Sequence, residues 1–174
     1  MGQLDAVFLD RDGTINVKAP EGAYITSPGQ LRLLPGAGTA VRWLNLAGLL
    51  VLVVTNQRGV ALGQMTLQQV AEVNQALQQR LQRYGARVDG FYVCPHSEGC
   101  ACRKPSPGLL LKAQLDHPAI RLERTVTIGD SEADVAAALA AGSHAVRLGP
   151  PGTRTQASAL CRDLASAVRA LAGT

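Results

Sequence analysis

Aromatic residues are scarce: two Phe, one Trp and three Tyr in 174 residues. Any core must therefore be aliphatic. Charge is sparse as well, at 17% of residues against 47% apolar, and that balance excludes a disordered chain. Lys and Arg exceed Asp and Glu by only four. They never gather into a long basic run, so no nucleic-acid partner is expected. The longest apolar run, Leu49–Val54, is too short to cross a bilayer. The opening Met-Gly-Gln-Leu-Asp-Ala has no basic region leading into an apolar stretch, so no signal peptide and a cytoplasmic chain are expected. The length suits one domain, residues 1–174, with a core large enough to need no disulfide.

What is present is an alternation. Short apolar runs at Ala6–Leu9, Leu49–Val54, Gly90–Val93, Thr125–Ile128 and His144–Leu148 read as strands covered on both faces. Between and after them lie helical patterns over 37–47, 66–84, 106–115, 131–141 and 155–171. Thr66 with Gln69, three residues on, forms a capping-box signature. This order implies an α/β fold with a doubly wound, mainly parallel sheet flanked by helices. In such a sheet the ligand crevice lies beyond the carboxyl ends of the strands. Asp10, Thr55, Cys94 and Asp130 each stand just past a strand, so they should converge on one rim.

Four short segments could carry chemistry there. Asp10-Arg11-Asp12-Gly13-Thr14 sets two carboxylates two residues apart at a strand end. One can attack phosphorus, and the other can hand a proton to the leaving alkoxide. Read alone, the same segment is also a plain turn. Thr55-Asn56-Gln57-Arg58-Gly59 offers a hydroxyl and backbone amides that can cradle an anion. Arg103-Lys104 places two cations before a helix N-terminus, which itself favours phosphate. Asp130 and Asp134 offer hard oxygen ligands of the kind Mg²⁺ takes.

The four cysteines are unevenly placed. Cys94, Cys100 and Cys102 fall within nine residues together with His96, while Cys161 stands apart. Three thiolates and one imidazole make a full tetrahedral Zn²⁺ set with no open position, hence a structural site. A Cys100–Cys102 disulfide would be strained, and it would leave His96 unexplained. Such a zinc loop runs straight into Arg103-Lys104 and would aim those cations. Cys161 and Trp43 are expected as packing residues in helices, and His117 and His144 as structural or surface groups.

Taken in order, the four segments resemble the haloacid dehalogenase-like phosphohydrolase superfamily over about Val7 to Gly142. The resemblance implies an aspartyl-phosphate mechanism on that superfamily's Rossmann-like fold. In it Asp10 is the nucleophile and Asp12 the general acid and base. Thr55 is the phosphate-binding hydroxyl and Lys104 the charge-balancing lysine. Mg²⁺ would be held by Asp10, Asp12 (through its carbonyl) and Asp130, with Asp134 behind them. The second Asp points to phosphate esters rather than to dehalogenation. The zinc loop followed by Cys-Arg-Lys-Pro is similar to two branches, the heptose bisphosphate phosphatases and the histidinol-phosphate phosphatases. Asp10–Val17 and Thr55–Gly63 look more like the heptose branch. That likeness implies a phosphorylated sugar as substrate, with Lys18, Tyr24, Thr55, Asn56, Gln57, Arg103 and Lys104 as its contacts. Two segments depart from the pattern: the zinc loop is short, and Lys18–Tyr24 is slightly long. The spacing leaves no room for a cap domain, and a small uncapped chain is expected to be monomeric. A receiver domain also carries a phospho-accepting Asp, but its lysine comes last, whereas Lys104 precedes Asp130 here. A non-enzymatic, zinc-stabilised binding module would have no use for the acidic set.

Overall fold

The structure is a computed structural model that describes residues 4–173. Six strands form one parallel sheet: β1 (Ala6–Leu9), β2 (Leu50–Asn56), β3 (Gly90–Cys94), β4 (Thr125–Gly129), β5 (His144–Leu148) and β6 (Ala159–Cys161). Their order is β3-β2-β1-β4-β5-β6. The winding reverses direction between β1 and β4, so the crevice that parallel sheets use for ligands opens above those two strands. The register pairs Leu9 with both Val53 and Ile128, which brings Asp10 and the residues after Gly129 to the same edge.

Helices cover both faces. Along β1 the side chains alternate. Val7 and Leu9 join one core with Val51, Val53, Val126 and Ile128, roofed by α1 (Ala37–Leu46), α2 (Leu67–Gln82) and α5 (Leu164–Ala172). Ala6 and Phe8 join the other, with Leu52, Val54, Leu110 and Ala137 from beneath α3 (Gly108–Asp116) and α4 (Glu132–Ala141). Among the described residues Phe8 is the only ring fully buried in these cores, with Phe91 and Tyr92 packed at their edges. Double coverage explains why the strands read as continuous apolar runs rather than alternating ones. Between β1 and β2 lie only α1 and a 3₁₀ turn (Pro28–Gln30), and between β2 and β3 only α2, so no cap domain is inserted among the described residues.

The expected elements fall close to their places. The Thr66–Gln69 capping box opens α2 as its sequence indicates. A second box, Ser131 with Asp134, opens α4. The pattern over 155–171 is the exception. It divides into β6 and a helix that starts at Leu164, capped by Asp163. Cys161 thus ends an edge strand instead of sitting in a helix. Ser158 explains the break, because its N–H and hydroxyl both bond the Ala145 carbonyl and lay the segment along β5. Trp43 on α1 is 38% exposed and is not a core residue.

Candidate active site

Four strand ends build the rim. Asp10 follows β1, Thr55 lies near the end of β2, the Cys94 loop follows β3, and Asp130 follows β4. One cavity of about 300 Å³ is lined by Asp10, Asp12, Lys18, Thr55, Asn56, Arg103, Lys104, Asp130 and Asp134. Its neighbour, about 260 Å³, shares Asp12, Lys18 and Asn56 and runs along the 18–25 loop past Tyr24. Asp10, Thr55 and Asp130 therefore converge as their spacing implies, whereas Cys94 lines neither cavity and reaches the rim only through Arg103 and Lys104 further along its loop.

Lys104 is the hub. Its Nζ donates to Asp10 Oδ1 (2.7 Å) and to the Val54 carbonyl (2.7 Å). It also ion-pairs with Asp134 Oδ1 at 2.5 Å. The lysine is almost wholly buried. Burial pulls an ammonium toward its neutral form, but Asp10 and Asp134 outweigh it and leave Lys104 raised above the usual lysine value. Burial pushes the Asp10 carboxyl up to about 7; Lys104 opposes this, and the nearby Asp134 and Asp12 charges add to it. One lysine does not neutralise this group. Asp10, Asp130 and Asp134 can each place a carboxylate oxygen within 4.8 Å of the others'. Lys18 reaches across to Asp130 Oδ2 at 3.2 Å, a second ammonium drawn to the same acids. Crowded hard oxygens short of positive charge fit a divalent cation.

Two glycines make this crowding possible. Gly13 has φ +93, and a Cβ there would lie 2.2 Å from Asp130 Oδ2. At Gly129 a Cβ would meet the Asp134 carboxyl at 2.3 Å. No other residue leaves that space.

Asp12 is held by three donors. Arg11 Nη2 and Gln57 Nε2 both reach Oδ2 at 2.8 Å, and Asn16 Nδ2 reaches Oδ1 at 2.8 Å. Gln57 Nε2 also lies 2.9 Å from Thr55 Oγ1, which ties the Asp12 carboxylate to the hydroxyl of the next strand. The Asn56 side chain clasps the Lys104 backbone from both sides, donating to its carbonyl (3.0 Å) and accepting from its N–H (3.1 Å). Asn56 and Gln57, expected as substrate contacts, thus spend their amides on protein partners while lining the cavity. Tyr24 packs its ring against the backbone of Gly59, so the 18–25 loop leans on the loop after β2. Arg103 Nη1 lies 3.4 Å from the His96 carbonyl at the cavity edge.

The cysteine–histidine cluster also assembles. Cys94 Sγ lies 3.1 Å from Cys102 Sγ and 3.7 Å from Cys100 Sγ. His96 Nδ1 lies 3.2 Å from Cys102 Sγ and 3.7 Å from Cys94 Sγ. A tetrahedral zinc with Zn–S near 2.3 Å sets its sulfurs about 3.8 Å apart. The sulfur edges of 3.1, 3.5 and 3.7 Å are shorter than that, most of all Cys94–Cys102, and far longer than a disulfide. Burial and the neighbouring Cys94 and Cys100 sulfurs push Cys102 up to about 12. Burial also acts on Cys100, but backbone hydrogen bonds from Arg103 and Cys102 outweigh it and bring that thiol down to about 6. The loop is stitched to α3 through Gly108, whose N–H bonds the Ala101 carbonyl and whose missing Cβ lets the two backbones meet.

Arg11 is the residue that the sequence reading passed over. It is completely buried, and its Nη1 donates to Asn74 Oδ1 on α2 at 2.9 Å. One signal was present in the sequence. Asn74 stands on the apolar stripe of α2 with Val70, Val73, Leu77 and Leu81, where a polar residue needs a partner.

A parallel sheet with an acid–lysine rim at its winding reversal, the lysine preceding the second acidic segment, matches the haloacid dehalogenase-like phosphohydrolases. The Hydrolase-like family model, described as HAD-hydrolase-like, matches residues 101–158, the lysine and second acidic segments. The comparisons then narrow the class. The chain is 40% identical over 146 residues to D-glycero-beta-D-manno-heptose-1,7-bisphosphate 7-phosphatase of Rhodopseudomonas palustris, covering 79% of each chain. It is 40% identical over 136 residues to D-glycero-alpha-D-manno-heptose-1,7-bisphosphate 7-phosphatase of Mycobacterium tuberculosis, covering 77% of this chain and 71% of that one. A crystal structure of D,D-heptose 1,7-bisphosphate phosphatase from B. bronchiseptica, complexed with magnesium and phosphate, superposes with a TM-score of 0.89. It is 29% identical and covers 98% of this chain and 99% of that one. The chain belongs to the heptose-1,7-bisphosphate 7-phosphatase family, and it is a phosphatase.

Proposed function

We propose that this enzyme removes the 7-phosphate from D-glycero-D-manno-heptose 1,7-bisphosphate, with Mg²⁺ bound at Asp10, the Asp12 carbonyl and Asp130. The observation that carries the reading is the buried Lys104 bridging Asp10 and Asp134 beside a donor-held Asp12. Bound there, the cation would offset negative charge on the transferring phosphoryl group.

Asp10 attacks phosphorus as the P–O bond to the sugar breaks. Asp12, in its acid form, gives its proton to the departing sugar oxygen. Asp12 then takes a proton from water as that water attacks the aspartyl phosphate, which releases inorganic phosphate and restores Asp10. Lys104 and Thr55 hold the phosphoryl oxygens. Arg103 and Lys18 supply cations for the remainder of an anionic sugar, with Tyr24 walling the cavity. The uncapped rim is open enough for a substrate that carries a second phosphate.

The Cys94, His96, Cys100 and Cys102 cluster is read as a structural zinc site. The convergence of its four donor atoms within 4.8 Å and its hydrogen bond to the start of α3 support this. The zinc would fix the loop that delivers Arg103 and Lys104. We read the protein as a cytoplasmic monomer of one domain with no nucleic-acid partner. Among the described residues no helix is long and apolar enough to cross a membrane.

Phosphate release from heptose 1,7-bisphosphate and from histidinol phosphate, each with Mg²⁺ and with EDTA, tests the substrate. Mg²⁺-dependent release of one phosphate from the heptose ester, leaving the 1-phosphate, is expected. Preference for histidinol phosphate would overturn the assignment.

A further inference from the structure

We infer that Arg11, clamped from behind by Asn74, is a positioning residue that aims the Asp12 carboxylate for both proton transfers. This rests on the acid–base role proposed above for Asp12.

A fully buried guanidinium is costly unless its donors are used. Arg11 spends Nη2 on Asp12 and Nη1 on Asn74, while its Nε finds no partner. The core does not need this side chain for charge, because its ion pair is with Asp12 itself. The three donors on Asp12 are not equivalent. Asn16 belongs to the same turn and also bonds the Val17 carbonyl. Gln57 also bonds Thr55. Both are tied to the rim. Arg11 alone carries an anchor from outside it, since Asn74 lies on α2 and lines neither cavity at the rim. A planar guanidinium held at one end by an amide presents its other end in a fixed direction. The direction of Asp12 toward the leaving oxygen, and later toward water, is therefore set through α2. An angstrom of misplacement at such a group costs about 10²-fold in rate.

The test is Asn74→Ala, with Arg11→Met and Arg11→Lys beside it and Asp12→Asn as reference. Each variant is measured on heptose bisphosphate and on p-nitrophenyl phosphate, with thermal melting as the check on folding. For Asn74→Ala we expect kcat on the sugar to fall about 10- to 100-fold with KM within about twofold. Nitrophenolate leaves without a proton, so its release should show a fast burst followed by slow turnover, because the second step still needs Asp12. Arg11→Lys should recover part of what Arg11→Met loses. Folded Asn74→Ala with wild-type kcat, or with equal losses on both substrates and no burst, would overturn the inference. If Asp12→Asn is inactive in that case, the role of Asp12 stands and only the clamp is wrong. Full activity in Asp12→Asn would remove both.

Discussion

The molecule gathers ligand-like side chains in two places by opposite means. The thiolate loop takes all four from nine consecutive residues, Cys94 to Cys102. The acid rim draws Asp10, Thr55, Lys104 and Asp130 from across the chain and needs the whole sheet to bring them together. The loop is held where it meets the fold: the Gln57 and Ala61 N–H groups bond the Cys94 and Pro95 carbonyls, Gly108 N–H bonds the Ala101 carbonyl, and Cys94 is buried in the second core. Its sulfurs also crowd one another enough to split their acidities widely. The rim carries internal cations, Lys104 buried and Lys18 exposed, and glycines that leave space for its acids. On the zinc reading proposed above, the local cluster would take its final shape from a metal, whereas the long-range one is shaped by the fold and takes a metal for chemistry.

The strongest way to separate the two is Asp10→Asn. Turnover should fall by about 10⁴-fold or more. Melting should hold or rise, since the change relieves a crowded, buried carboxylate while Lys104 keeps Asp134. Steady-state kinetics and calorimetry read both. Lys104→Met should affect both quantities. It leaves Asp10 and Asp134 buried without their cation, at a cost of about 3–5 kcal/mol in denaturant titrations, and it abolishes activity. Removing zinc with a chelator, or Cys100→Ser, should lower the melting temperature and reduce kcat/KM by about 10²-fold at most, leaving residual Mg²⁺-dependent activity. Unchanged melting after metal removal, with zinc loss verified by elemental analysis, would reverse the contrast drawn between the regions. The smallest effect concerns pH. Asp10 is raised to about 7, so below that pH a proton competes with the cation. The rise in melting temperature caused by Mg²⁺ should therefore be greatest above pH 7 and shrink as pH falls.

The local region was the easier one to read in sequence, because Cys94, His96, Cys100 and Cys102 stand within nine residues and the structure brings their donor atoms within 4.8 Å of one another. The rim was legible through a rule of topology: each acid or hydroxyl stands just past an apolar run, and parallel strands end together. Burial and partner choice were not legible. Arg11, between two acids, carries no mark of burial in its own neighbours. It is fully buried, and its partner Asn74 on α2 stands 63 positions away. Asn56 and Gln57 read as ligand contacts, but folding turns their amides toward Lys104, Thr55 and Asp12. The pattern over 155–171 failed for a similar reason, since the edge of β5 captured Ala159–Cys161 as a strand against its helical spacing.

The most direct test of the chemistry assigned to the rim is rapid acid quench during turnover of heptose 1,7-bisphosphate with Mg²⁺, followed by peptide mass spectrometry. The expected result is a phosphoryl group on Asp10 that appears before phosphate release and is absent from Asp10→Asn. A phosphoryl group on another residue, or undiminished phosphate release by Asp10→Asn, would contradict it.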